Sequence, residues 1–442
     1  MDAQSLLDGD GLRSRLTNPS KVYSTSVIVL SLASLTENIA FMLSASYFPY
    51  YAESLGAKIE YVGIFSAAFL ITSALLSQRF GGLSDRIGRK KLIQAGLLAD
   101  VFLGTLTGLL QNWTLLLVVR ALNGIATAAV RTPAEASLID QVPKHKKGEA
   151  LGFFLTMSMI GWFAGPVFGG SVQLFSEKQM GLRLENSYRV PFFVDSLLAI
   201  VAMGLVAWKV KETRGGDVKP VELKENVVKL SGSVLRSLRV LYVTELANGF
   251  AVGFIALVGV LFFGDILNIS PFEIGLILSI SGFVGIFCNF IAGKTADVIG
   301  RKPLITLGSL SSRLASITLP FSTNLIEATG IMIFRSLGIN VAMPATHALR
   351  ADLVPAEVRG KFFGRFQAFF NVGMIMGTLL GPWVFYLYTN EVFRITWPIE
   401  ILIRGHGLPF FISAALGLTA LGLLLIFVEE PPKRAEKRKR EG

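Results

Sequence analysis

The chain is poor in the residues on which most catalytic and structural chemistry depends. Of 442 residues, one is cysteine (Cys288) and three are histidine. A single thiol excludes a disulfide framework and a thiolate metal site. Charged residues make up 17% of the sequence, against roughly 25% in soluble domains. No metalloprotease or serine-hydrolase signature is present. One stretch, Ala292-Gly-Lys-Thr295, looks like the end of a phosphate-binding loop. It lacks the required glycine five residues before Gly293, where Cys288 stands, and it closes an apolar run rather than a strand. ATP binding is thereby excluded, and no cofactor or metal is expected. The first 24 residues are polar and mixed in charge, without the apolar core and small-residue cleavage site of a signal peptide.

What the chain does have is apolar length. Hydrophobic residues make up 52%, and the mean hydropathy is +0.57. Gly, at 44 residues, is abundant, as expected where small residues let membrane helices approach closely. A spanning helix needs about 20 mostly apolar residues. Twelve segments qualify: roughly 25–50, 60–80, 92–111, 113–140, 149–174, 190–210, 240–264, 272–292, 303–321, 326–349, 362–389 and 407–428. The net charge of +11 follows a pattern. With both termini cytoplasmic, 32 of the 42 Lys and Arg fall on the inside, 6 on the outside and 4 within spans. The positive-inside rule therefore predicts that orientation, in the plasma (cell inner) membrane. The bias explains the basic pI without nucleic acid. The tail PPKRAEKRKREG reads as a solvated segment touching anionic lipid. Two glycosylation sequons, at Asn112 and Asn268, fall on outside links too short to be used.

Shifting the sequence by 212 residues superposes Gly63 on Gly275, Gly81 on Gly293 and Asp85 on Asp297. The same shift places Gly88-Arg89-Lys90 on Gly300-Arg301-Lys302, Asp140 on Asp352 and Gly148 on Gly360. One offset held through four spans means two six-helix halves of one topology. The halves read as 1–210 and 240–442, joined by a cytoplasmic linker, 211–239. Apolar residues at Val221, Leu223, Val227, Leu230, Val234 and Leu238 predict an amphipathic helix in that linker. Parallel repeats place a substrate site between the halves, near the membrane midplane.

The segment Gly81-Gly-Leu-Ser-Asp85-Arg86-Ile-Gly88-Arg89-Lys90 closely resembles the loop signature of the major facilitator superfamily. The second half repeats it as Gly293-Lys-Thr-Ala-Asp297-Val-Ile-Gly300-Arg301-Lys302, with Val298 where the first copy has Arg86. Glycines there permit a tight turn, and the aspartates can accept charge-assisted bonds that latch one side shut. Arg120-Ala-Leu-Asn-Gly124 resembles a second motif, with Asn123 where Gln is usual. In span five, Gly161, Gly165, Pro166, Gly169 and Gly170 resemble the motif of the superfamily's antiporters. Span eleven carries a partial echo at Gly373, Gly377, Gly381 and Pro382. The resemblance covers essentially the whole chain. It implies an all-α membrane protein of twelve helices in two pseudo-symmetric bundles, most similar to the drug/proton antiporter branch.

Ionisable residues inside spans are expensive and need partners. The spans carry Glu37, Asp100, Arg120, Arg131, Glu135, Asp195, Glu245, Arg313, Arg335 and His347. A carboxyl moved between a dry site and an arginine takes up and releases a proton, the minimum machinery of proton coupling. Candidate coupling residues are Glu37, Arg120, Glu135, Glu245 and His347, with Glu37 and Arg120 the leading pair. The resemblance supports that pair, because similar multidrug antiporters set an acid in span one beside the span-four arginine. Candidate substrate-binding residues are Glu37, Asn38, Glu245, Asn248 and Asn371. The sequence thus predicts a monomeric secondary transporter, not an enzyme, that exchanges protons for amphipathic or drug-like small molecules by alternating access. A symporter or facilitator for a sugar, organic acid or other metabolite, and a non-transporting membrane sensor, are the rival readings.

Overall fold

The computed structural model describes residues 25–143, 146–213, 232–355, 358–395 and 401–429. The side chains of 289–291, 293–294, 296–298 and 401–402 lie outside that description. So do the amphipathic-helix prediction over 214–231 and the basic tail from 430 onward.

Twelve long helices are found among the described residues. They are α1 (Thr25–Met42), α2 (Gly63–Ile87), α3 (Arg89–Leu109), α4 (Trp113–Asp140), α5 (Lys147–Lys178) and α6 (Val190–Lys209), then α7 (Gly232–Leu261), α8 (Pro271–Ile299), α9 (Arg301–Thr318), α10 (Leu325–Leu353), α11 (Arg359–Tyr388) and α12 (Leu408–Phe427). Eleven are long and apolar enough to cross a membrane. The exception is α9, whose 18 residues include Arg301, Lys302 and Arg313.

Three boundaries differ from the sequence reading. Span one is not continuous to 50: α1 stops at Met42, the chain turns through 43–47, and a short helix follows over Phe48–Ser54. Helix α7 begins at Gly232 rather than near 240, so it takes up the end of the expected linker. An antiparallel hairpin, β1 (Val392–Ile395) with β2 (Ile401–Arg404), lies between α11 and α12, with Val392 opposite Arg404.

The packing repeats between halves. Helix α1 packs on α5 and α6, α2 on α4, and α3 on α4 and α6. Adding six to every label gives the second half: α7 on α11 and α12, α8 on α10, and α9 on α10 and α12. The halves join through α5 against α8 and α2 against α11, two contacts that exchange under the same operation. Each half contains two apolar layers. In the first half, one gathers Leu30, Ile93, Leu138 and Val206, and the other Tyr47, Phe65, Leu116 and Phe192. In the second half the layers gather Leu238, Leu304, Leu349 and Leu424, then Ile277, Leu319, Phe385 and Phe410. Polar side chains collect between the layers.

The glycines of α5 explain its grip on α1. A Cβ on Gly161, Gly165 or Gly169 would lie 2.3 Å from Leu35 O, 2.5 Å from Met42 Cβ and 1.7 Å from Leu43 O respectively. In the second half, Gly373, Gly377 and Gly381 of α11 meet α7 in the same way, at Leu246, Phe250 and Phe254. Small residues here admit backbone against backbone. Pro166 and Pro382 stand inside the two helices.

Candidate functional site

The ends of the molecule differ. At one end lie the α2–α3 and α8–α9 turns, with their Arg and Lys; call it the basic end. Gly81 and Gly82 do not make the α2–α3 turn, because helix α2 runs on to Ile87. The whole reversal falls on Gly88, at φ 108°, and its repeat partner Gly300 has φ 112°. Only glycine takes up such a backbone without strain.

Arg89 then starts α3, buried, with its guanidinium 3.0 Å from Asp85 and 2.5 Å from Asp140. Its repeat partner Arg301 lies 3.1 Å from Asp352. The duplicated motif is therefore a duplicated ion pair between the third and fourth helices of each half. Glu212, beyond α6, accepts the backbone N–H groups of Lys90 and Lys91 at 3.0 and 3.3 Å. A carboxylate at a helix N-terminus opposes the positive end of the helix dipole. Arg86 is exposed, and the side chains of Gly293 and Asp297 lie outside the described residues.

At the opposite end the halves touch. Val167 N–H donates to Ser279 Oγ at 3.2 Å. A Cβ on Gly63 would meet Thr378 O, and one on Gly275 would meet Pro166 O. Tyr50 Oη lies 3.0 Å from Asp265 Oδ1, and Tyr386 of α11 donates to the other oxygen of that carboxylate. Toward the basic end, by contrast, an added Cβ on Gly148 or Gly152 of α5, or on Gly360 or Gly364 of α11, would meet no atom of a neighbouring helix within 4 Å. The contacts named between the halves thus lie toward the end opposite the basic turns.

The polar layer of the first half encloses a cavity of about 40 Å³, room for roughly three water molecules. Glu37 (α1), Asp100 (α3), Arg120 (α4) and Asp195 (α6) all line it. Arg120 is fixed by the break after α1. Its guanidinium lies over the Phe48 ring, 3.9 Å from the centroid, and donates to Ser44 Oγ at 3.4 Å. It forms no ion pair with Glu37 in this state; the two share the cavity across water-sized space. Asp195 reaches α3 through Gly104, where a Cβ would sit 2.8 Å from its Oδ2. Sequence reasoning named Asp100 and Asp195 only as spanning acids. Their meeting follows from α1, α3, α4 and α6 packing around one point.

Phe41 and Phe69 also line the cavity, with ring centroids 5.0 Å apart. Trp162 of α5 extends this aromatic surface, 5.4 Å from Phe41.

Other candidates fall elsewhere. Glu245 is buried in an ion pair with Arg350, inside the apolar layer at the basic end of the second half. Because α7 starts at Gly232, this residue sits short of the polar layer rather than in it. Glu135, half-buried, pairs along α4 with the exposed Arg131 at 3.6 Å. His347, its repeat partner, is exposed on α10. Asn38 donates back to Ser34 O at 2.7 Å, and Gln367 donates to Asn371 Oδ1 at 2.8 Å. Asn248 accepts from Arg313 at 3.0 Å.

Twelve helices in two repeat-related halves, joined through α5–α8 and α2–α11 and carrying polar groups between their apolar layers, have the architecture of a secondary transporter of the membrane. The sequence profile of the Major Facilitator Superfamily matches residues 30–266 and 241–442, and the chain belongs to that superfamily of transporters. It is similar to the multidrug resistance protein MdtG of Salmonella typhimurium, 29% identical over 381 residues that cover 82% of this chain and 90% of that protein. MdtG of Klebsiella pneumoniae is 27% identical over 384 residues, covering 85% and 90%. Among solved structures, the inward-open xylose transporter XylE from E. coli superposes with a TM-score of 0.68 at 15% identity, over 92% of this chain and 97% of that one. An inward-facing bacterial homologue of the human lysosomal transporter Spinster gives 0.68 at 14% identity, over 92% and 96%. These structures share the fold.

Proposed function

We propose that the chain is a proton-coupled antiporter that exports amphipathic, drug-like molecules by alternating access. One observation carries the reading: three carboxyl groups and a single guanidinium line one small, water-sized cavity in the middle of the first half. One arginine balances one acid. Leaving the others charged in a dry interior costs about 3 kcal/mol each or more. Protons or a cationic substrate are the available counter-charges, and exchanging one for the other is antiport. The adjoining Phe41, Phe69 and Trp162 surface suits the apolar part of such a substrate. Similarity to proteins named for multidrug resistance supports the same class.

With the Lys- and Arg-rich end in the cytoplasm, the end where Gly148, Gly152, Gly360 and Gly364 face open space is the one that loads from the cell interior. The chain then lies in the plasma membrane with both termini inside and works as a monomer. The glycines of α5 act through packing on α1, so their part in antiport is to carry α1 and Glu37 with α5 as the halves rock. To test the reading, purified protein is reconstituted in liposomes with an acidic interior, and uptake of a fluorescent amphipathic cation such as ethidium is followed. Accumulation that a protonophore collapses is the expected result. Accumulation indifferent to the protonophore contradicts proton coupling.

A further inference from the structure

The second half has its own polar layer, of opposite charge. Arg313 of α9 donates to Asn248 Oδ1 of α7 at 3.0 Å, and its Nε is buried without a hydrogen-bond partner. The guanidinium lies against Gly417 of α12, where a Cβ would come 2.0 Å from that Nε. Arg335 of α10 donates its Nε to Ser316 Oγ at 3.2 Å. The four helices α7, α9, α10 and α12 are the repeat counterparts of α1, α3, α4 and α6. The 212-residue shift places Asn123 on Arg335, and Asp100 on Ser312 beside Arg313. Among the described residues neither arginine has a carboxylate within 4.0 Å. The nearest acid on α7, Glu245, is already taken by Arg350.

Two guanidinium groups in the middle of a membrane bundle repel each other and are expensive unless something anionic meets them. Both residues are of intermediate exposure, so neither side chain is wholly covered by its neighbours. A guanidinium offers planar paired donors matched to an oxyanion. We infer that Arg313 and Arg335 form a binding site for the acidic group of a transported molecule, a carboxylate or similar oxyanion. This rests on the transport reading above. It deepens that reading by dividing the work: the first half exchanges protons and meets the cationic or apolar part of a substrate, and the second half holds the acidic group of those substrates that carry one.

The test uses full-length protein in detergent with 2-naphthoate and its neutral counterpart 2-naphthamide, followed by thermal shift and calorimetric titration. Naphthoate is expected to bind and stabilise, and naphthamide is expected to do so at least about tenfold more weakly, the loss of one charge-assisted contact. Arg335→Gln should remove the preference, and Arg313→Lys, which keeps the charge but loses the fork, should weaken it. Lys58→Gln, at an exposed position outside both polar layers, should leave it intact. Equal binding of acid and amide, or an unchanged preference in Arg335→Gln that melts like the parent, overturns the site. Sulfate that matches naphthoate in affinity assigns the site to free inorganic anions and overturns the substrate part. Acid preference with no protonophore-sensitive transport would contradict the antiport reading and leave this one standing. Proton-driven transport of amide and acid alike would do the reverse.

Discussion

Arg120 owes its position to a break that hydropathy does not show. The chain turns at 43–47, bringing Ser44 and Phe48 beneath the guanidinium. Leu43-Ser-Ala-Ser-Tyr47 has no glycine or proline, and the signals of the break are Ser44, Ser46 and Pro49 at the start of the next helix. Stacking on Phe48 depends on a flat, delocalised cation. Arg120→Lys keeps the charge and loses that geometry, so the initial rate of gradient-driven uptake should fall by about tenfold or more. A rate equal to wild type would show that any cation suffices. Glu245 teaches the opposite lesson. Its Thr-Glu context resembles that of Glu37, yet its depth is set by where α7 begins. That boundary is not legible in a basic segment that turns helical at Gly232.

At the scale of helices, glycine spacing decides which elements travel together. Gly169 faces Leu43 O with no room for a methyl group, whereas Gly148 on the same helix faces open space. Gly169→Ala should cost about 1–3 kcal/mol through overpacking and lower the thermal midpoint in detergent. Gly148→Ala should leave the midpoint unchanged or raise it, because alanine is the better helix former. Equal effects at both positions would remove the distinction. Gly88→Ala should also destabilise, since its φ of 108° is unfavourable to any side chain and Glu212 occupies the space a Cβ would need. Twelve apolar runs were enough to read the helices from sequence, and which helix packs on which came from the structure. The tight turn was legible in type but placed too early, because Gly81 and Gly82 look like turn residues yet continue α2.

At the scale of the whole molecule, two halves meet through α5–α8 and α2–α11 at the end opposite the basic turns. Transport requires that contact to part. A disulfide between α5 and α8 should therefore stop turnover. The single native cysteine makes the experiment clean. In a Cys288→Ser background, Val167→Cys with Ser279→Cys is the pair to cross-link, because α5 and α8 meet where Val167 N–H donates to Ser279 Oγ. Oxidation should abolish substrate exchange and reduction restore it; exchange that persists in the cross-linked protein would contradict alternating access through this contact. Which α5 and α11 glycines are covered was not legible in sequence, since Gly148 and Gly169 look alike there and only packing tells them apart. The polar layer was half legible. Each spanning charge stood out, but their sorting into an acidic first half and a basic second half needed the packing of four helices around each point.

The central claim is that protons and substrate exchange through the Glu37 cavity. Glu37→Gln in liposomes, assayed both for accumulation driven by an acidic interior and for substrate counterflow without a gradient, tests it most directly. The account predicts that accumulation is lost while counterflow survives, because the carrier still rocks but no longer exchanges a proton. Undiminished gradient-driven accumulation in Glu37→Gln would contradict it.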